Sequence, residues 1–260
     1  MSPLFASGLH SRQHPCRGDH RATGQKDSDR PWRFRSSGAA VARAFAREGA
    51  AVHLTGRTVP PLEDVARRIQ DEGGVAHVAQ LDATDRDAVD RHADAVATAG
   101  NGIDICFNAT SNDDMQGSPL LDMALADVLR PVTKAVTTTL TTATAAARHM
   151  VRRGSGVLLV MAGGRETIPD LGGSHITWSA LIGVCRQLAA ELSPQGVRVS
   201  WLLSPGSPAP GEENRADKAA LLAERPAYDE VANAAVFAAS SWARTMTATE
   251  LNLTGGLVPD

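Results

Sequence analysis

Apolar side chains follow helical and strand spacings in turn along most of the chain. Between residues 172 and 206, they recur every three or four positions from Trp178 onward, which predicts a helix with one buried face. Pro194 ends that helix, and the apolar run Val197–Leu203 predicts a buried strand. A helix that leads directly into a buried strand is half of a parallel-sheet unit, so this stretch indicates an α/β fold.

Segments of the same two kinds alternate elsewhere in the chain. The predicted helices are residues 39–48, residues 62–72, residues 122–152 as one helix or a broken pair, and a last helix from Tyr228. The predicted strands are residues 51–55, 75–81, 103–108 and 156–161, with a closing strand within residues 246–256. This alternation predicts a single domain at residues 38–260 with a doubly wound parallel sheet.

Residues 1–37 have a different composition. No valine or isoleucine occurs before Val41, although central parallel strands are normally built from these residues. The segment has seven basic and three acidic side chains, a net charge of +4 in a chain whose total is -3. We interpret it as a disordered or aberrant segment that leaves the first strand poorly specified. A basic targeting peptide and a shifted reading frame upstream of about Ser36 are the alternatives.

Composition argues against several classes of function. With 260 residues, of which 43% are hydrophobic, the chain can bury one core. A net charge of -3 gives no electrostatic basis for binding nucleic acid or an anionic membrane. The three cysteines are odd in number, the histidines lack metal-ligand spacing, and no apolar run approaches the roughly 18 residues of a membrane span. We therefore expect a cytoplasmic protein without a metal site and without nucleic-acid or membrane partners.

The segment LAAELSPQGVRV and the Pro205-Gly206 pair that follows its strand resemble the short-chain dehydrogenase/reductase family. The similarity extends from Gly38 nearly to Asp260. This resemblance implies a Rossmann-like fold, a nicotinamide cofactor and a small-molecule substrate.

The resemblance also places cofactor-binding residues near the carboxyl ends of the predicted strands. Gly38 matches the last glycine of the family's phosphate-binding turn, whose other two glycine positions fall on Trp32 and Ser36. Arg57 follows the second strand, where an arginine suits the 2′-phosphate of NADP(H), and an ordinary surface arginine is the alternative. Asp82 resembles the residue that meets the adenine amine, and a helix cap for the following segment is its alternative.

Three further residues complete the predicted cofactor site. Asn108 matches an asparagine that follows the family's fourth strand, and we expect its amide to tie adjacent strands together. Pro205 and Gly206 follow the sixth strand. The predicted NADP(H) contacts are therefore Gly38, Arg57, Asp82, Asn108, Pro205 and Gly206.

The family's catalytic side chains are replaced in this chain. Its asparagine, serine, tyrosine and lysine positions fall on Ala135, Met161, Ser174 and Trp178. No Tyr-x-x-x-Lys motif exists anywhere, because the only tyrosine is Tyr228 and the only lysines are Lys26, Lys134 and Lys218. Lys134 adjoins Ala135 but points about 100° away from it on a helix. His175 is a candidate acid, with a solvent-facing or capping histidine as the alternative.

Two functions are compatible with these residues. One is an NADP(H)-linked oxidoreductase in which His175 or water replaces the missing acid, and the other is a non-catalytic scaffold or partner subunit. The small-residue run VTTTLTTATAAA at residues 136–147 predicts either an oligomer face or a crowded core helix. We expect a homo-oligomer.

Overall fold

The computed structural model of the chain describes residues 4–7, 37–111, 113–165, 168–204 and 220–257. These residues contain seven strands: β1 (Leu4–Ser7), β2 (Ala51–Gly56), β3 (Val75–Gln80), β4 (Ile105–Asn108), β5 (Gly156–Gly163), β6 (Val197–Leu203) and β7 (Thr249–Asn252). They also contain six α-helices: α1 (Ser37–Arg47), α2 (Val59–Asp71), α3 (Arg86–Ala99), α4 (Leu125–Arg153), α5 (Ser174–Leu192) and α6 (Tyr228–Ala239). The strands form one sheet in the order β3-β2-β1-β4-β5-β6-β7.

Helices cover both faces of this sheet. One hydrophobic cluster joins α1, α2 and α6 to strand side chains such as Val52 and Leu54. A second cluster joins α3, α4 and α5 to side chains such as Leu158 and Val199. Successive side chains of a strand point to opposite faces, so Leu158 and Leu159 contribute to different clusters. The prediction of a single α/β domain with a doubly wound parallel sheet is confirmed, except that one strand, β1, is antiparallel to its neighbours.

The middle of the sheet is occupied by β1, which runs antiparallel to both of its neighbours, β2 and β4. The side chains of Phe5 and Ala6 are completely buried. Residues 4–7 belong to the segment that we expected to be disordered or aberrant, and they fill the central position without a β-branched side chain. Residues 8–36, including Trp32 and Ser36, lie outside the described residues.

Because of its direction, β1 cannot lead directly into a phosphate-binding turn, as the first strand of a dinucleotide-binding fold usually does. Its last residue, Ser7, pairs with Ala51 at the beginning of β2, so β1 ends at the edge of the sheet where the parallel strands begin. At that edge a Cβ built on Gly100 would lie only 2.3 Å from Ser7 Oγ. A phosphate-binding turn joins the carboxyl end of a parallel strand directly to a helix, and β1 cannot make that connection to α1.

Helix α4 is one continuous helix that contains Pro131 in its second turn, so the broken-pair alternative is wrong. It packs against α3 and α5. Most of its small-residue run is buried within the chain, including four threonines: Thr138, Thr139, Thr141 and Thr142. Of the two alternatives for residues 136–147, an oligomer face and a crowded core helix, this burial fits the core helix.

Arg198 of β6 joins that strand to the end of α6. Its guanidinium donates hydrogen bonds to five main-chain carbonyl oxygens, those of Ala238 (2.7 Å), Ala239 (3.2 Å), Ser240 (3.2 Å), Ala243 (3.0 Å) and Met246 (3.4 Å). The last carbonyls of a helix have no partner inside the helix, so Arg198 supplies the donors that α6 lacks. Burial lowers the pKa of this guanidinium from its ordinary value.

Candidate functional site

A cavity of about 380 Å³ lies at the carboxyl ends of β2, β3 and β4. In open α/β sheets, ligands bind at this edge. The cavity brings together the predicted residues Arg57 and Asp82, and it adds two residues of α4, Lys134 and Thr138.

Asp82 presents a carboxylate to this cavity. Its Oδ1 accepts hydrogen bonds from the backbone N–H (2.9 Å) and the hydroxyl (2.7 Å) of Thr84. These bonds, followed by the charges of Arg57 and Lys134, hold the pKa of the Asp82 carboxyl below its ordinary value. The helix-cap alternative for Asp82 is wrong, because Asp85 caps α3 by accepting a hydrogen bond from the backbone N–H of Ala88.

Arg57 follows β2 and is exposed at the cavity. Its carbonyl oxygen accepts a hydrogen bond of 3.0 Å from the side-chain amide of Gln80, which ties the ends of β2 and β3 together. The backbone is therefore held while the guanidinium is free to extend toward the cavity. In residues 37–111, 113–165, 168–204 and 220–257, no carboxylate forms an ion pair with Arg57.

Lys134 is a cavity residue that sequence reasoning set aside. Its ammonium forms an ion pair with Asp113, and only 15% of its side chain is exposed. The hydrogen bond from Lys134 lowers the pKa of the Asp113 carboxyl. Rotation on the helix does turn Lys134 away from the position of Ala135, which is buried in the core. The same rotation directs the long side chain of Lys134 into the neighbouring cavity. Comparing Lys134 only with the catalytic position at Ala135 did not reveal this placement.

Asn108 connects the end of β4 to α4. Its side-chain N–H groups donate to the hydroxyls of Thr139 (3.1 Å) and Thr142 (3.4 Å), and its Oδ1 accepts from the backbone N–H (3.0 Å) and hydroxyl (2.8 Å) of Thr110. The expectation that its amide ties adjacent strands together is therefore wrong: it ties a strand to a helix and to the loop after the strand. This network fixes the loop that begins the cavity wall at Thr110 and Ser111.

Ser174, at the position of the family's tyrosine, is the first residue of α5 and is fully buried. Its hydroxyl donates to the carboxylate of Asp114 (2.5 Å) and accepts from the side-chain amide of Gln116 (2.9 Å), which also donates to Asp114 (3.0 Å). Sequence reasoning missed Asp114 and Gln116, because an irregular loop has no periodicity that shows where its side chains point. The three side chains form a compact polar network at the start of α5.

Trp178, at the position of the family's lysine, lies against the end of β5. A Cβ built on Gly163 would come within 2.2 to 2.4 Å of three atoms of the Trp178 indole, so the ring covers the backbone of this glycine. His175 lies beside Trp178, with ring centroids 6.4 Å apart and an interplanar angle of 71°. His175 is partly buried, and α5 has no side-chain cap hydrogen bond, so neither a solvent-facing nor a capping histidine describes it.

Several predicted residues are not brought to the cavity. Met161 is partly buried and packs against the α1, α2 and α6 cluster, and Gly38 is buried in the first turn of α1. Pro205 and Gly206 lie outside the described residues. Burial raises the pKa of the thiols of Cys106 and Cys185 to about 12, which keeps both as unreactive thiols.

The part of the chain that the structure describes has neither a metal-binding cluster nor a membrane-spanning helix. No group of three or more histidine, cysteine, aspartate or glutamate side chains there is arranged to hold a metal ion. No helix there combines the length and apolar character needed to cross a membrane.

Known proteins are similar to this chain over nearly its whole length. A family model described as enoyl-(acyl carrier protein) reductase matches residues 33–258. D-threitol dehydrogenase of Mycolicibacterium smegmatis is 30% identical over 232 residues, covering 84% of this chain and 87% of that protein. Dehydrogenase/reductase SDR family member 4 of Sus scrofa is 30% identical over 181 residues, covering 65% of this chain and 61% of that protein.

A solved structure has the same fold. The gluconate 5-dehydrogenase of Burkholderia cenocepacia, determined in complex with NADP and tartrate, superimposes with a TM-score of 0.74 at 24% identity. The match covers 86% of this chain and 91% of that one. Because the two sequences are only 24% identical, this similarity establishes the fold of the chain alone.

Proposed function

The chain belongs to the short-chain dehydrogenase/reductase family of oxidoreductases, and from this premise we propose that it binds NADP(H) through the cavity beside β2 and β3 while performing little or no carbonyl reduction. The observation that carries this proposal is the contrast between two ends of one site. Arg57 and Asp82, two predicted cofactor contacts, are present at the cavity. In contrast, Ser174 and Trp178 occupy the positions of the family's catalytic tyrosine, which is the acid, and of the lysine that activates it.

The residues of the cavity fit the adenosine end of NADP(H). The guanidinium of Arg57 has a planar set of donors that suits a phosphate, and it forms no ion pair with the described carboxylates. The Asp82 carboxylate is ionised and can accept a hydrogen bond from an amine. An NAD site usually offers an acidic side chain at the position of Arg57, which favours NADP(H) over NAD(H) here.

The residues at the other end do not supply the proton transfer of the family. A bound nicotinamide would supply the hydride, and the protein would have to supply a proton to the substrate oxygen. In the family a lysine lowers the pKa of the tyrosine phenol from about 10 toward neutrality. Here a serine hydroxyl replaces the phenol and a neutral indole replaces the ammonium. Catalysis by positioning alone remains, so we expect turnover to be low.

A second candidate function is an active NADP(H)-linked oxidoreductase that uses a different proton path. The hydrogen bond from Ser174 to Asp114 favours it, because a buried hydroxyl bonded to a carboxylate can pass a proton. In alcohol oxidation, the substrate carbon would give its hydride to NADP⁺, and the substrate hydroxyl would give its proton to Ser174 Oγ while Ser174 gives its own proton to Asp114. The imidazole of His175, which lies beside Trp178, is the other side chain near this end of the site that can exchange a proton.

The substrate class and the assembly state are parts of the same proposal. The similarity to D-threitol dehydrogenase makes short polyols and their keto forms the first substrates to test. A homo-oligomer is expected as well, and size-exclusion chromatography with light scattering measures it directly.

Titration of the purified protein with NADPH, followed by its fluorescence, tests both functions. Saturable binding without keto-substrate-dependent NADPH oxidation supports the first function. Binding with oxidation that Asp114→Asn abolishes supports the second, and the matched control is Asp122→Asn, an exposed carboxylate in a short 3-10 helix outside this network. Absence of binding at high NADPH and NADH concentrations contradicts both.

A further inference from the structure

β1 has only four residues and fills the gap in the sheet between β2 and β4. We call this gap the slot. β1 pairs along both of its edges, with Leu4 opposite Leu54 on one side and Phe107 on the other. Without β1, the facing edges of β2 and β4 would lose their main-chain partners in the middle of the sheet. Unpaired strand edges of this kind are templates for the addition of another extended segment.

The slot selects side chains on both faces of the sheet. Phe5 enters the cluster formed with α3, α4 and α5, and Ala6 enters the opposite cluster formed with α1, α2 and α6. Both side chains are completely buried. The slot therefore suits an extended segment in which a large apolar residue precedes a small one, and residues 4–7 have that pattern.

The covalent connection does not require that β1 and the slot belong to one molecule. Between Ser7 and Ser37 lie 29 residues, which can span up to about 100 Å when extended. A domain of this size has a radius of gyration of about 18 Å. Because β1 runs antiparallel, its last residue, Ser7, lies at the edge of the sheet opposite to the one where a parallel first strand would end. The length of chain is thus sufficient to reach the slot of a neighbouring copy.

We propose that the slot between β2 and β4 is a strand-acceptor site that binds residues 4–7 of a second copy of this chain as well as its own. The contacts that hold the strand are the same in both arrangements. The strand of the same molecule has the advantage of a high effective concentration, so exchange between copies increases as the protein is concentrated. Exchange of one strand in each direction produces a symmetric dimer.

Cysteine cross-linking tests this proposal with the full chain. Ser7 and Ala51 are direct partners in the antiparallel ladder, so cysteines at both positions lie within reach of a disulfide. In a background with Cys16, Cys106 and Cys185 replaced, the double variant Ser7→Cys/Ala51→Cys should form an intramolecular disulfide at low concentration. Failure to form it would overturn the proposal, because residues 4–7 would not occupy the slot.

The decisive sample mixes two single variants, Ser7→Cys and Ala51→Cys, one of them carrying a size tag. We expect a disulfide-linked heterodimer after joint incubation or joint refolding, in a yield that rises with protein concentration. The matched control pairs Ser7→Cys with Ser179→Cys, an exposed position on α5. A yield no greater than that of the control would overturn the proposal.

A synthetic peptide of residues 2–8 gives a second measurement. It should compete for the slot and lower the yield of heterodimer by several-fold. The same peptide with Phe5→Asp should have no effect, because a carboxylate cannot replace the buried ring. Equal effects of the two peptides would contradict a specific slot.

Discussion

The indole of Trp178 covers the backbone of Gly163, which has a φ of +82° at the end of β5. Two properties of this glycine are therefore used together: it has no Cβ to meet the indole, and it adopts a backbone conformation that other residues rarely adopt. The contact fixes the beginning of α5 against the carboxyl edge of the sheet. It also places an uncharged ring where the family pattern has an ammonium.

Substitution of Gly163 tests this contact. Gly163→Ala should lower the free energy of unfolding by about 2 to 3 kcal/mol, because its Cβ meets the indole and its φ becomes strained. In a Trp178→Ala background the same substitution should cost only about 1 kcal/mol, since the strain remains and the collision does not. Urea unfolding of the four proteins gives the coupling energy. Equal costs in both backgrounds would show that the ring does not contact this glycine.

Arg57 provides a test of cofactor preference. Arg57→Ala should weaken NADPH binding by about tenfold or more, equivalent to about 1.4 kcal/mol, and should leave NADH binding nearly unchanged. The reason is that only NADPH has a 2′-phosphate for the guanidinium to contact. Fluorescence titration with both cofactors measures the ratio. Arg67→Ala is the matched control, because that arginine is paired with Asp64 on the outside of α2. An equal loss for both cofactors would mean that Arg57 does not recognise the phosphate.

Arg198 should be among the most sensitive positions for stability. Arg198→Met leaves up to five carbonyl oxygens without their donor, and we expect unfolding to become easier by about 3 kcal/mol or more. Arg198→Lys should recover only part of this loss, because an ammonium cannot reproduce the planar set of donors. Arg244→Met, at an exposed arginine nearby, should change stability by less than about 0.5 kcal/mol. Thermal and urea unfolding would contradict the assignment if the two methionine variants were equally stable.

Three neighbouring histidines should make the free energy of unfolding depend on pH. His53 of β2 stacks on His77 of β3 at 4.8 Å and lies 6.5 Å from His92 of α3. Burial, followed by the charges of His77 and His92, lowers the pKa of His53 to about 4, and burial lowers the pKa of His92. The unfolded chain binds these protons near pH 6.5, whereas the folded chain resists them.

The stabilisation from neutral His53 and His92 is therefore complete above about pH 6.5 and is lost as the pH falls toward 4. His53→Asn should reduce the slope of unfolding free energy against pH in this range. Urea unfolding at several pH values measures the slope. An unchanged slope in the variant would mean that His53 does not contribute to the acid sensitivity.

The parts of the fold that sequence reasoning predicted are those with a local pattern. The spacing from Trp178, the stop at Pro194 and the run Val197–Leu203 correspond to α5 and β6, because each property depends on neighbouring residues. Helix α2 begins at Val59, before the predicted position, since two prolines are tolerated in its first turn. Family resemblance added the order of the elements.

The parts that were missed depend on distant residues. Nothing in the composition of residues 4–7 distinguishes a central strand, and the direction of β1 is decided by pairing with residues more than forty positions away. The partners of Ser174 were missed for a similar reason, because Asp114 and Gln116 reach it from a loop about sixty residues earlier. Local periodicity carries no information about either arrangement.

The direction of β1 has a practical consequence for labelling the protein. Leu4 pairs with Leu54 and Phe107 near the carboxyl ends of their strands, so the polypeptide enters the sheet on the same side as Arg57 and Asp82. A bulky fusion placed ahead of Leu4 would be delivered to the mouth of the cavity and could obstruct it. A small fluorophore attached there would instead be well situated to detect the arrival of a nucleotide.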